Sequence, residues 1–213
     1  LWGDYDGDAK PEVIIPVSNV DYFFCYGFDN SSSNIVYDIS TDFDVVINGD
    51  FNGDGKCELI TIKGYDYKIW SYKVNAGRWT CISSGMLPGK CVSCQSGDLN
   101  GDGISDLVML LKTSRTTWKW FAAIKNGTTA DWAYTAIPDI RSDIVSNSVI
   151  WGGTTIVTEY AKYPTLLCDF NNDGRADIMQ PDNNDFVQLL LSKGCLSGQY
   201  NYEATGFSHY SNQ

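Results

Sequence analysis

The sequence predicts an all-β chain of short antiparallel four-stranded units, and three observations carry the prediction. One acidic loop pattern recurs four times along the 213 residues. Each copy is followed by an apolar run with β-branched residues: Val13-Ile14-Ile15, Leu59-Ile60-Thr61-Ile62, Leu107-Val108-Met109-Leu110 and the shorter Ile178-Met179. No long stretch shows the apolar spacing of a helix. A repeat of this period is the signature of arrays in which each unit buries its faces against its neighbours.

Composition bounds the chain further. A length of 213 residues can bury a sizeable core. Aromatic content of 14 % with only 19 % charged residues describes an ordered protein rather than an acidic tail. The net charge of −11 and the lack of a basic stripe exclude nucleic acid as a partner. No apolar run is long enough to span a membrane as a helix. Residues 1–4 already lie inside a motif, as expected of a piece of a longer protein. Seven cysteines are scattered without the dense spacing of a disulfide scaffold.

The four loops begin at Asp4, Asp50, Asp98 and Asp169, spaced 46, 48 and 71 residues apart. Oxygen-bearing side chains stand at loop positions 1, 3, 5 and 9. They are Asp4, Asp6, Asp8 and Glu12 in the first loop and Asp50, Asn52, Asp54 and Glu58 in the second. The third has Asp98, Asn100, Asp102 and Asp106, and the fourth Asp169, Asn171, Asp173 and Asp177. Position 6 is glycine in three copies and Ala9 in the first.

This spacing suits calcium, a hard cation that takes six to eight oxygens; alternate side chains of a tight loop converge on one point. Position 7 would add a backbone carbonyl, from Lys10, Lys56, Ile104 and Arg175. Glycine at position 6 permits the turn with positive φ. Ala9 and Pro11 should therefore make the first site the weakest, and the second and third, with glycine at positions 4 and 6, the best. An EF-hand is excluded, because position 12 holds Ile15, Thr61, Met109 and Gln180 where a bidentate Glu is required.

Between loops the chain reads as a meander. The first repeat gives strands at 12–17, 22–28 and 35–39, and a strand at 44–48 leads into the second loop. The second repeat gives 59–62, 67–74 and 78–83, with a turn at Asn75-Ala76-Gly77, and 92–96 enters the third loop. The third gives 107–111, 118–125 and 131–137, followed by extra length read as an inserted hairpin around 149–160. The fourth gives 178–180, 186–191 and 200–206. Four short strands per unit of this length is the pattern of a propeller blade. The expected blades cover roughly 1–43, 44–91, 92–164 and 165–213, as one repeat region. Four such blades leave open sheet edges, which proteins normally cover, so a larger ring completed by the rest of a longer chain is expected, with a small closed ring or a ring completed by a second copy as the alternatives.

With loops of the form Asp-x-Asn-x-Asp-Gly-x-x-Asp between strands, the sequence resembles the FG-GAP and VCBS repeats of β-propellers. Such repeats occur in integrin α headpieces, in some lectins and in secreted toxin-complex or RHS-type cell-surface proteins. The Phe-Gly and Gly-Ala-Pro signatures of integrins are absent, which places the likeness nearer the bacterial-type repeats. The resemblance implies an extracellular or cell-surface module that binds calcium and serves adhesion, recognition or scaffolding toward a protein or glycan ligand. The alternatives it implies are a propeller domain of a secreted polysaccharide-active enzyme, or a glycan-binding lectin.

No catalytic set emerges. His209 is the sole histidine, which leaves a Ser-His-Asp or Cys-His mechanism without support. Cys91 and Cys94 have CxxC spacing but fall on a strand and read as buried cysteines. Most tryptophans are expected to pack between blades. Asn30 and Asn126 each begin a glycosylation sequon. The expectation is a module without enzymatic chemistry of its own.

Overall fold

The computed structural model describes residues 1–16, 23–26, 34–36, 38–125, 131–151, 154–181 and 186–208. The expected turns at 19–21, 126–127 and 152–153, both sequon asparagines and His209 lie outside the described residues. Among the described residues, sixteen strands form four four-stranded antiparallel sheets arranged as the blades of a propeller, and two more form a separate hairpin. Blade 1 is the meander β1 (Trp2–Gly3), β2 (Glu12–Pro16), β3 (Phe23–Tyr26) and β4 (Asn34–Val36). Blade 2 is β5 (Val45–Gly49), β6 (Glu58–Lys63), β7 (Asp66–Lys73) and β8 (Arg78–Met86). Blade 3 is β9 (Lys90–Gly97), β10 (Asp106–Ser114), β11 (Thr117–Lys125) and β12 (Trp132–Ala136). The inserted hairpin, β13 (Ile144–Trp151) and β14 (Thr154–Ala161), precedes blade 4, which is β15 (Leu166–Cys168), β16 (Asp177–Pro181), β17 (Phe186–Leu196) and β18 (Gln199–Ser208). The leading strands β1, β5, β9 and β15 neighbour one another in that order.

Packing explains why the second strand of each inner blade reads as an unbroken apolar run rather than an alternation. Such a strand is covered on both faces. In β6, Leu59 faces blade 1 while Ile60 and Ile62 face blade 3. In β10, Leu107, Met109 and Leu111 face blade 2, whereas Val108 and Leu110 face blade 4. Among the described residues the core forms three clusters, one for each junction between successive blades. Four blades joined by three such cores form an open arc, a partial propeller. Its first blade accordingly exposes Trp2, Ile15 and Tyr26 on one sheet face.

Several elements exceed what the sequence suggested, among them β8, which runs to Met86, and β10, which runs to Ser114. β17 runs to Leu196 because a register shift between Ser192 and Cys195 carries the pairing past the expected end at 191. The hairpin starts at Ile144 rather than near 149. Ile144 and Ala161 at its base pack on the core between blades 3 and 4. Lys112 of β10 bonds Glu159 at 2.6 Å, while Val149, Ile150 and Val157 near the tip are exposed. Cys91 and Cys94 both lie buried in β9, and all seven cysteines are free thiols.

The leading strand of one blade meets the acidic loop of the next at very short range. A Cβ on Gly49 would stand 2.7 Å from Ser105 Oγ and 2.8 Å from its Cβ. Gly49→Ala should therefore cost about 1–3 kcal/mol by overpacking. Ser105→Gly in the same chain should recover much of that loss, since it removes the clashing atoms. Denaturant unfolding of the two single variants and the double variant measures the coupling; strictly additive losses would contradict this packing.

Candidate metal centres

Each loop is organised by its own side chains before any ion is considered. The position 1 carboxylate receives the backbone N–H of position 6: Ala9 to Asp4 at 2.9 Å, and Gly55 to Asp50, Gly103 to Asp98 and Gly174 to Asp169 at 2.8 Å each. The position 3 side-chain oxygen receives the N–H of position 5: Asp8 to Asp6, Asp54 to Asn52, Asp102 to Asn100 and Asp173 to Asn171, at 2.9–3.0 Å. Position 5 in turn receives the N–H of position 7. Lys10, Lys56, Ile104 and Arg175 donate to Asp8, Asp54, Asp102 and Asp173 at 2.8–3.0 Å. These are Asx-type turns laid end to end.

Position 9 ties the loop to the blade. Its carboxylate accepts the N–H of position 2 in all four copies: Tyr5 to Glu12 at 2.7 Å, Phe51 to Glu58 at 3.0 Å, Leu99 to Asp106 and Phe170 to Asp177 at 2.9 Å. The longer and shorter acids then diverge. Glu58 turns its second oxygen to the Asn52 amide at 2.8 Å, inside the loop. Asp106 and Asp177 give theirs to the N–H groups of Lys125 and Ser192 at 2.7 Å, in the third strand of the blade. The structure therefore gathers Asp4, Asp6, Asp8 and Glu12, and likewise Asp50, Asp54 and Glu58, with ligand oxygens all within 4.8 Å of one another. The carboxylates of the third and fourth loops are not gathered so closely. This division by side-chain length was missed in the sequence, although Glu against Asp at position 9 was its signal.

A set of three or four carboxylates with amide and carbonyl oxygens nearby suits a hard divalent cation and offers no soft ligand for copper or zinc. Burial pushes the Glu58 and Asp106 carboxyls up to about 7, against the hydrogen bonds they accept, with the neighbouring loop carboxylates adding to the rise. Burial also raises Glu12. A cation would relieve the repulsion that the first two loops concentrate. Lys10 relieves part of it at the rim of the first loop, on Asp8 at 3.2 Å, and Arg175 pairs in the same way with Asp173 of the fourth loop at 2.5 Å.

Residues 50–109, from the second loop through the first part of β10, match the FG-GAP-like repeat family. The chain is also similar to a T-cell immunomodulatory protein homolog of Plasmodium yoelii yoelii, 26 % identical over 161 residues. That match covers 70 % of this chain but only 22 % of the relative's length.

Two outcomes follow from the loop geometry. Ala9 carries φ of 65°, a left-handed conformation that costs a residue with a Cβ about 1–2 kcal/mol. Ala9→Gly should raise stability by about 1 kcal/mol once the extra unfolded-state entropy of glycine is subtracted; denaturant melts measure it, and a loss would contradict the strain. The second outcome concerns pH. Because Glu58 and Asp106 hold protons more tightly folded than unfolded, their contribution is fully present below their ordinary values of 4.5 and 3.8 and is lost as pH rises through about 7. With divalent ions chelated, the chain should melt at a lower temperature at pH 8 than at pH 5. A flat or opposite trend would contradict the assignment.

Proposed function

We propose that this FG-GAP-type propeller segment is a calcium-stabilised recognition or scaffolding module of an extracellular or cell-surface protein, without catalytic chemistry of its own. The observation that carries the reading is the fourfold recurrence of one loop geometry, with the carboxylates of the first two loops drawn together. Calcium would be held by the side-chain oxygens at positions 1, 3, 5 and 9 and by the carbonyls of Lys10, Lys56, Ile104 and Arg175. In the third and fourth loops, positions 1, 3 and 5 would carry more of the coordination. The ion supplies charge neutralisation and fixes the loop against its strands. The second loop, with gathered acids and glycine at both turn positions, is the expected tightest site.

The recognition role rests on the class of fold and on the surface. A net charge of −11 suits a protein or glycan ligand better than a polyanion. The relative named as an immunomodulatory protein fits a module that acts at cell surfaces. No helix among the described residues is long and apolar enough to cross a membrane. Further chain would complete the ring beyond the open arc.

The test is a melt with and without chelator. A site of ~0.1 mM affinity adds about 1.4 kcal/mol at millimolar calcium, so several sites should raise the melting temperature by several degrees. Asp54→Ala should remove the largest share of that rise. Asp66→Ala, outside the loops, should change stability by under about 0.5 kcal/mol. Asp139, also outside them, is the poorer control, because it accepts a 2.6 Å hydrogen bond from Tyr202. A midpoint that ignores both calcium and Asp54→Ala would overturn the proposal.

A further inference from the structure

Loop position 7 serves two loops at once. Its backbone belongs to its own loop, where the N–H of Lys56, Ile104 and Arg175 donates to the position 5 carboxylate. Its side chain lies on the loop before. A Cβ on Gly7 would stand 2.7 Å from Lys56 Cε, on Gly53 3.2 Å from Ile104 Cγ1, and on Gly101 3.2 Å from Arg175 Cγ. Each of these glycines is position 4 of its loop. Three times over, the position 7 side chain of one blade thus covers the turn of the preceding loop. The neighbouring residue holds it there: the N–H at position 8 donates to the position 1 carbonyl of the preceding loop, Cys57 to Asp4, Ser105 to Asp50 and Ala176 to Asp98, each at 2.6 Å.

The three covers differ in charge. The Lys56 stem runs along Gly7, with its Cγ, Cδ and Cε 3.4, 3.1 and 2.7 Å from the place of a Cβ. Its ammonium, one bond further on, stands at the rim of the first loop, where Asp6 and Asp8 flank Gly7. Ile104 is buried and brings no charge to the second loop. Arg175 lays its stem on Gly101, but its guanidinium is held within its own blade, by Asp173 at 2.5 Å and the Ser192 carbonyl at 3.2 Å. The first two loops gather their carboxylates alike, yet one has a lysine from the next blade beside it and the other an isoleucine. A cation tethered beside such acids does part of what a bound ion would do, and it repels an ion that enters. Within a screening length and in largely aqueous surroundings, one such charge changes the binding of a divalent ion roughly three- to tenfold.

We infer that Lys56 is a tethered counter-charge for the first loop, and that the position 7 side chain of one blade sets the calcium affinity of the loop before it. The inference rests on the calcium reading of the loops and deepens it by naming what grades the sites. Calorimetric calcium titration of the whole chain compares wild type with Lys56→Met, which keeps the stem over Gly7 and drops the charge. One site should tighten roughly three- to tenfold. The gain should persist in an Asp54→Ala background and vanish in an Asp6→Ala background, which removes a first-loop ligand. Lys56→Arg should bind as wild type does. Ile104→Lys should do the reverse, weakening one site by a similar factor in the Asp6→Ala background and not in Asp54→Ala. Melting gives a second readout. With calcium chelated, Lys56→Met should melt below wild type, because the gathered carboxylates lose their counter-charge, and added calcium should narrow or reverse the gap. Unchanged affinity in Lys56→Met, or a gain that is lost with Asp54 rather than Asp6, would overturn the inference and leave the calcium reading standing. A folded wild type that binds no calcium would overturn both.

Discussion

A carboxylate at the ninth loop position has to be buried at the start of the second strand of every blade, and much of the architecture follows from how that charge is satisfied. Glu58, Asp106 and Asp177 are fully buried, and Glu12 nearly so. A buried carboxylate is costly unless it is hydrogen-bonded or paired with a cation. Each accepts the N–H of loop position 2, which fixes the loop's exit relative to its entry and sets the position 2 side chain into the next junction. The acid thus couples the acidic rim to the hydrophobic core. That coupling explains why loop spacing and strand spacing recur together along the chain.

The same constraint divides the loops into two kinds. Glutamate reaches back into its loop, so the first two loops concentrate carboxylates that repel one another. Aspartate is one methylene shorter, and its second oxygen meets a backbone N–H of the third strand instead. The first kind leaves negative charge that a divalent ion would neutralise; the second spends its charge on tying strands together. The raised values of Glu58 and Asp106 come first from loss of water around a carboxylate, with the neighbouring loop carboxylates adding to the rise.

Much of this was legible in the sequence because its signals are local. Loop positions 1, 3, 5 and 9, the turn residues at 4 and 6, and the apolar runs after each loop depend on neighbours within about ten residues. Fourfold repetition made the four-stranded blades readable. What escaped depends on distant partners. The contact of Gly49 with Ser105 spans two blades, and neither residue is unusual alone. The double duty of Asp106 shows only once β11 lies beside β10. The hairpin's true start at Ile144 is set by packing on the core between blades 3 and 4, part of which comes later in the chain. The Asp139 partner, Tyr202, is likewise brought close only by the arc.

The central claim is that the loops are divalent-cation sites serving structure. Equilibrium dialysis against calcium tests it most directly, with the wild-type chain beside Asp54→Ala. The account predicts saturable binding of several ions per chain at or below millimolar calcium, with the tightest site lost in Asp54→Ala and the variant still folded. An absence of saturable binding at millimolar calcium in the folded wild-type chain would contradict it, and the loops would then stand as turns held by their own backbone hydrogen bonds.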